Sequence, residues 1–202
     1  MIVIGLTGSI GMGKSTTTHL FADEGVAICD SDAIVHSLYE NEAVRLIESA
    51  FSGTTLNGSV DRSALSDRLR ENPANFSILE KIVHPLVLKK QQQFLDEERQ
   101  AKREFALLDI PLLFETGAES RVDVVVVVSC DEDIQRRRVL SRPGMTEEKF
   151  AMILTRQMPD IEKRKKADFV IDTGHGIEEA RLQVRDVLTK LRTGNKGMHF
   201  DA

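Results

Sequence analysis

The chain has 202 residues, 41% hydrophobic and 29% charged, so it is long enough to bury a core and too apolar for a disordered chain. Its net charge of −5 argues against a surface that coats nucleic acid. Its two cysteines are too few for a disulfide framework, and its longest apolar run, 124–128, is far too short to cross a bilayer. We expect a cytoplasmic protein, monomeric or weakly homo-oligomeric, with small-molecule substrates and neither nucleic acid nor membrane as partner.

The first elements are a short buried strand over 2–6, a glycine-rich loop over 8–13 and a helix from Lys14 to Asp23. Residues 8–15 match G-x-x-x-x-G-K-[ST], a loop whose backbone N–H groups and following helix N-terminus bind nucleotide phosphates. Lys14 would reach the β and γ phosphates, and the Ser15 hydroxyl would ligate Mg²⁺. The predicted nucleotide-binding residues are Gly8, Gly11, Met12, Gly13, Lys14, Ser15 and Thr16.

A second strand over 26–29 ends at Asp30-Ser31-Asp32, and the helix that follows has Ser31 or Asp32 as its predicted cap. A kinase needs a carboxylate near the γ-phosphate to orient the acceptor hydroxyl and to take its proton. Asp30 and Asp32 both stand where such a group is expected. Either of them could instead only cap the helix, so both roles stay open.

Residues 41–103 form a predicted helical insertion, with turns at Ser52-Gly53, Asn57-Gly58 and Asn72-Pro73. We place His84 and Pro85 at the start of a long helix, with Pro85 in its first turn. His84 is then either a structural cap or a contact to the acceptor.

Three more strands are predicted over 105–109, 122–129 and 168–172, each followed by helical sequence. Asp109 ends its strand as a Walker B carboxylate does and is a candidate to hold Mg²⁺ through water. The strands alternate with helices, which predicts a three-layer α/β/α fold with a parallel five-stranded sheet and helices on both faces.

The segment from Arg136 to Lys166 carries ten Lys or Arg against four Asp or Glu, a net +6 within an acidic chain. A basic, broken helical segment after the fourth strand suits a lid that closes over a transferable phosphoryl group. Arg142, beside Pro143-Gly144, is the first candidate for an arginine that contacts the ATP phosphates on closure. Arg164 is the second.

We therefore divide the chain into a nucleotide-binding core (1–40, 104–141 and 167–192), an acceptor-binding insertion (41–103), a lid (142–166) and a flexible tail (193–202). A regulatory P-loop NTPase is disfavoured, because a guanine-nucleotide switch would carry Asn-Lys-x-Asp, and Asn195-Lys196 lacks the Asp. The remaining alternative is a nucleoside monophosphate or small-metabolite kinase of the same architecture.

Six segments together resemble the dephospho-coenzyme A kinase family. They are 5–15, Asp30-Ser31-Asp32 to His36, His84-Pro85-Leu86, 110–115, 156–164 and 167–172. The resemblance implies transfer of the γ-phosphate of ATP to the ribose 3′-hydroxyl of dephospho-coenzyme A, the last step of coenzyme A synthesis. It also implies Asp32 as the base, the insertion as the acceptor site, with Asp32, His36, His84 and Arg164 as predicted substrate contacts, and the segment around 142–166 as the lid. Ser9, Met12 and Thr173 depart from the family's usual residues, with Thr173 where Asn is common.

Overall fold

Two units make up the structure, a computed structural model that describes residues 1–194. The first unit comprises 1–29 and the described residues from 101 onward, and the second comprises 30–100. Of the predicted flexible tail, 195–202 lie outside the described residues. The strands of the first unit are β1 (Ile2–Thr7), β2 (Ala27–Asp30, whose last residue begins the second unit), β5 (Phe105–Asp109), β6 (Val124–Ser129) and β7 (Phe169–Asp172). Its helices are α1 (Lys14–Asp23), α6 (Glu132–Leu140), α7 (Glu147–Leu154), α8 (Asp160–Lys166) and α9 (Ile177–Arg192), besides a 3-10 turn over Ala118–Arg121.

The sheet has the strand order β2-β5-β1-β6-β7, and β1 pairs in parallel with both β5 and β6. The predicted three-layer α/β/α fold with five parallel strands is confirmed. Because the strand order reverses at β1, the loops after β1 and its neighbours open a crevice at the carboxyl edge of the sheet. The loop of residues 8–13 lies at this edge.

The core of the first unit follows from the periodicity of its elements. Ile4 and Leu6 point to one face of β1, where they meet Phe21 of α1 and the apolar stripe of α9. That stripe recurs at helical spacing and comprises Ala180, Val184, Val187, Leu188 and Leu191. The valines of β6 are buried throughout, as expected for a strand covered on both faces.

The second unit is mostly helical and has its own small core around Leu38 and Ile47. Its elements are α2 (Ser31–Glu40), α3 (Val44–Ala50), β3 (Thr55–Leu56), β4 (Ser59–Val60), α4 (Arg62–Glu71) and α5 (Ala74–Gln100). The short antiparallel pair of β3 and β4 was not predicted from the sequence. Its two-residue turn has positive φ at both Asn57 (52°) and Gly58 (82°), as the predicted Asn-Gly turn requires.

Of the three residues considered as the cap of α2, the structure selects Asp30 and not Ser31 or Asp32, and the predicted helix start at Pro85 is wrong. The cap of α2 is Asp30, whose Oδ1 accepts hydrogen bonds from the backbone N–H groups of Asp32 (2.8 Å) and Ala33 (3.1 Å). Ser31 and Asp32 are instead the first two residues of the helix. Pro85 does not begin a helix, because α5 starts at Ala74 and runs through it, so His84 is not a cap.

No helix among residues 1–194 is long and apolar enough to cross a membrane. The predicted cytoplasmic location stays a prediction.

The packing of the first unit predicts that Phe21→Ala lowers the free energy of unfolding by about 3–5 kcal/mol, because Phe21 is fully buried and its removal leaves a cavity. Leu182→Ala on α9, where Leu182 is 57% exposed, should change it by no more than about 0.5 kcal/mol. Urea denaturation of both variants measures the difference, and equal losses would contradict this assignment of the core.

Candidate active site

The phosphate-binding motif forms the turn between β1 and α1, as its sequence predicts. Gly13 stands at the N-terminus of α1 with φ of 92°, a left-handed conformation that favours glycine. A Cβ there would also lie 2.9–3.1 Å from side-chain atoms of Thr173, so the site has no room for one. Lys14, Ser15 and Thr16 follow in the first turn of the helix, where backbone N–H groups have no partner within the helix.

Lys14 and Thr18 hold the same buried carboxylate. The Lys14 ammonium forms an ion pair with Oδ1 of Asp109, and the Thr18 hydroxyl donates to Oδ2 at 2.7 Å. Asp109 ends β5 and is 3% exposed. Thr18 lies one helical turn after Lys14, so both side chains leave α1 on the same face. This arrangement joins the phosphate loop to the neighbouring strand.

Ser15 and Asp109 are the residues that we predict to hold Mg²⁺, and their chemistry fits that ion, which prefers hydroxyl, carboxylate and water oxygens. Within residues 1–194 no group of three or more His, Cys, Asp or Glu is arranged as a metal cage. Mg²⁺ in phosphoryl-transfer sites is held by one or two protein groups plus substrate phosphates. A two-residue donor set therefore suits it.

Thr173 and Arg138 brace the far side of the loop. The Thr173 hydroxyl donates to the carbonyl oxygen of Met12 (2.8 Å), and Arg138 donates to the Thr173 hydroxyl (2.9 Å) and carbonyl (2.7 Å). The Met12 sulfur accepts a hydrogen bond from the backbone N–H of Cys130 at 3.2 Å. The side chain of Thr173 is thus committed to the phosphate loop.

A cleft of about 1000 Å³ opens beside this loop within the first unit. Its wall combines apolar side chains of the predicted lid with charged groups. The residues that line it include Ser9, Met12, Gln135, Asp160, Arg164 and Asp172. Burial raises the pKa of Asp160, although a hydrogen bond from Ser129 (2.6 Å) and the nearby Arg164 oppose that shift.

The predicted lid is anchored by a buried lysine. Lys163 of α8 is fully buried and pairs with Oε1 of Glu115 at 2.8 Å, and the same oxygen accepts the N–H of Met158 (2.8 Å). Desolvation raises the pKa of Glu115, but the hydrogen bonds from Lys163 and Met158 outweigh it, so the pKa lies below its ordinary value. Arg142 is exposed in the turn after α6, and Arg164 lines the cleft.

The remaining predicted residues belong to the second unit. Asp32 lies in the first turn of α2, exposed, and Asp30 serves as the cap. The Nδ1 atom of His36 lies 3.0 Å from the Arg62 guanidinium, which sits over the ring of Tyr39. His84 is exposed in the middle of α5. Their roles toward a substrate remain predictions.

Comparison with known proteins decides the family. The family profile named Dephospho-CoA kinase matches residues 2–179. The chain belongs to the dephospho-CoA kinase family. A dephospho-CoA kinase from Agrobacterium fabrum is 69% identical over 191 residues, covering 95% of this chain and 98% of the relative. One from Rhodopseudomonas palustris is 57% identical over 188 residues, covering 93% and 94%.

Solved structures agree with this assignment. The dephospho-CoA kinase from Campylobacter jejuni has a TM-score of 0.73 at 27% identity, covering 96% of this chain and 98% of that chain. The resemblance seen in the sequence segments is confirmed. Kinases of this family use ATP as co-substrate, so the loop of residues 8–15 belongs to an ATP-dependent enzyme.

Sequence reasoning missed several residues that shape the site. Thr18 carries a local signal, since it follows Lys14 by one helical turn. Gln135 and Arg138 come from distant parts of the chain and have no local signal. Glu115, Gln157 and Lys163 lie in segments that carry the family resemblance, but no role was predicted for them. No role was predicted for Arg138, and in the structure its guanidinium donates to Thr173.

The buried pair predicts that Glu115→Gln lowers the free energy of unfolding by about 3 kcal/mol at pH 7, because it leaves the Lys163 charge uncompensated. The pKa of Glu115 is depressed in the folded state, so its stabilisation is present above the unfolded pKa and is lost as pH falls through the folded pKa. The difference in the free energy of unfolding between wild type and Glu115→Gln should therefore become smaller in acid. Urea denaturation across pH measures it.

Glu162→Gln is the matched control, since Glu162 is exposed on the same helix as Lys163. A pH-independent gap for Glu115→Gln, or an equal loss in the control, would contradict the role given to the pair.

Proposed function

We propose that this chain transfers the γ-phosphate of ATP to the ribose 3′-hydroxyl of dephospho-coenzyme A. The observation that carries the proposal is the phosphate loop with Lys14 held on Asp109, in a chain whose family is that of dephospho-CoA kinases. The two relatives named above are called dephospho-CoA kinases, and this chain aligns with nearly the whole length of each. We assign the helical insertion over 41–103 to acceptor binding and the basic segment over 142–166 to the lid.

The phosphate loop binds the nucleotide through its backbone N–H groups, the N-terminus of α1 and the Lys14 ammonium. Ser15 and, through water, Asp109 would hold Mg²⁺, which when bound offsets the negative charge of the phosphates. Lys14 starts from its ion pair with Asp109, so it already lies beside the loop before nucleotide arrives. Its predicted role is to neutralise charge on the β and γ phosphates.

The lid segment supplies the second set of cations. Arg142 is the predicted arginine that neutralises charge on the transferred group, because it stands at a break between two helices and its side chain is exposed. Arg164 lines the cleft beside Ser9 and Met12 and is proposed as a substrate contact. Closure of such a segment excludes water, which favours transfer to the acceptor over hydrolysis of ATP.

Asp32 is the proposed base. Asp30 is the cap of α2, because its Oδ1 accepts hydrogen bonds from two backbone N–H groups. That leaves Asp32 as the better candidate to orient the acceptor hydroxyl and to accept its proton. His36 and His84 stay proposed acceptor contacts on the same unit.

An acceptor panel tests the function. Purified protein is incubated with Mg-ATP and dephospho-coenzyme A, nucleoside monophosphates or gluconate, and ADP release and the phosphorylated product are measured. We expect turnover with dephospho-coenzyme A to exceed that with any other acceptor by at least about a hundredfold, a difference in activation free energy of about 2.7 kcal/mol or more. Preferred phosphorylation of a nucleoside monophosphate or of gluconate would replace the proposal with the corresponding kinase.

Asp32→Asn should lower kcat by about a hundredfold or more while the Kd for ATP stays within about twofold, because it removes the base and keeps the shape. Asp30→Asn is the control. Asn caps helices as well as Asp does, so this variant should retain the cap of α2 and most of the turnover. Steady-state kinetics and calorimetry give both quantities, and near wild-type turnover in Asp32→Asn would mean that the base is another group.

A further inference from the structure

One residue of the phosphate loop is held from both sides by glutamine amides. The N–H of Ile10 donates to Oε1 of Gln157 at 3.0 Å, and the carbonyl oxygen of Ile10 accepts a hydrogen bond from Nε2 of Gln135 at 2.8 Å. Gln135 belongs to α6 and is 5% exposed, whereas Gln157 lies between α7 and α8. Two elements more than a hundred residues away along the chain therefore meet at one residue.

Ile10 lies in a four-residue turn whose type depends on one peptide. The N–H of Met12 donates to the carbonyl of Ser9 (3.1 Å), which closes the turn over 9–12. Gly11, the third residue, has φ of 80°, and Ile10 is not among the residues with positive φ. Those values define a type II turn. Type I and type II turns differ mainly in the orientation of the peptide between the two central residues, here the one that joins Ile10 to Gly11.

Gln135 holds that peptide. In a trans peptide the C=O and the following N–H point in opposite directions. Because the carbonyl of Ile10 is held by Gln135, the N–H of Gly11 points away from α6. The loop also packs closely against α6, since a Cβ on Gly11 would lie 3.1 Å from the backbone oxygen of Gln135.

Gln157 makes the complementary contact. Its side-chain oxygen occupies the N–H of Ile10, so this N–H is directed to the segment over 142–166. The peptide on each side of Ile10 thus has its own glutamine, one acting as acceptor and one as donor. Packing alone would not require opposite hydrogen-bonding roles from two identical side chains.

We propose that Gln135 and Gln157 are positioning residues for phosphoryl transfer. Gln135 selects the peptide orientation in which the Gly11 N–H serves the nucleotide phosphates, and Gln157 ties the lid segment to the loop through Ile10. The reaction step rests on the proposed kinase function, but the selection of the loop conformation is tested by nucleotide binding, which does not depend on the acceptor.

The first experiment removes each amide without adding charge. Gln135→Met and Gln157→Met keep the length of the side chain and lose its hydrogen bonds. We expect the Kd for ADP, measured by calorimetry, to rise about tenfold in Gln135→Met, the scale of one lost hydrogen bond to a buried group. The KM for ATP should follow, whereas the KM for the acceptor should stay within about twofold.

Gln183→Met is the matched control. Gln183 also holds a single residue from both sides, since it accepts the N–H of Asp172 (2.8 Å) and donates to its carbonyl (3.0 Å), and it has no contact with the phosphate loop in the structure. All three variants should show a similar fall in Tm, while Gln183→Met keeps its ADP affinity. Equal ADP affinity in wild type and Gln135→Met would overturn the proposal.

The second experiment separates donor from acceptor. Glu in place of Gln157 still accepts the Ile10 N–H, whereas Glu in place of Gln135 cannot donate to the Ile10 carbonyl. Both variants add one negative charge beside the same residue, so repulsion of the phosphates is common to them. We expect Gln135→Glu to bind ADP about tenfold more weakly than Gln157→Glu, and equal affinities would overturn the assignment of roles.

The comparison of Gln135→Glu with Gln157→Glu also tests the proposal if Gln135→Met does not fold. A protein that shows the pattern in ADP affinity but does not phosphorylate dephospho-coenzyme A would leave the positioning role in place and reject the proposed acceptor.

Discussion

A buried carboxylate at the end of β5 sets the organisation of the phosphate site. Asp109 is 3% exposed, and a charge taken that far from water must be neutralised or hydrogen-bonded. Lys14 and Thr18 do both, and they extend from the same face of α1. The contacts that neutralise Asp109 therefore also fix the position of α1 against the sheet. The long Lys14 side chain is also ordered by folding, so nucleotide does not bear the whole entropic cost of fixing it.

The rest of the loop is held through its main chain. Thr173 donates to the carbonyl of Met12, and Gln135 and Gln157 bond to the two polar groups of Ile10. Each contact fixes the plane of a peptide, and hence the direction in which the neighbouring N–H points. A site that stabilises phosphate charge works by having such N–H groups oriented before the ligand binds. In this kinase the orientation comes from α6, the loop before α8 and the loop after β7.

The part of the site that could be predicted from the sequence is the part that depends on local rules. The β1 strand, the loop of residues 8–13 and the start of α1 follow from a motif with its strand and helix on either side, and Asp109 follows from its place at a strand end. The cap of α2 stayed open among Asp30, Ser31 and Asp32, because the end of β2 was not fixed by the sequence: β2 runs one residue further than predicted, so the helix begins at once after Asp30. Boundaries of this kind depend on the pairing of the strand, which no local pattern records.

The other misses have tertiary causes. A proline is usually read as a helix start, yet α5 runs for 27 residues through Pro85, because packing along the whole helix outweighs one missing N–H donor. Thr173 and Met12 are 161 residues apart, and nothing near either residue announces the contact. The same holds for the two glutamines. Such pairs become visible only when the fold has brought the strand ends together.

The hydrogen bonds that Gln135 and Gln157 form with the main chain of Ile10 affect which residues the loop can accept. Both glutamines bond to the main chain of Ile10, so a different side chain at this position leaves both hydrogen bonds available. Gly11 and Gly13 have no such latitude, because each combines a positive φ with a neighbour where a Cβ would stand. The letters of the motif do not record this difference, because Gly11 stands at a position written x. Ile10 is held by its peptide groups and can change its side chain, whereas Gly11 and Gly13 must have none.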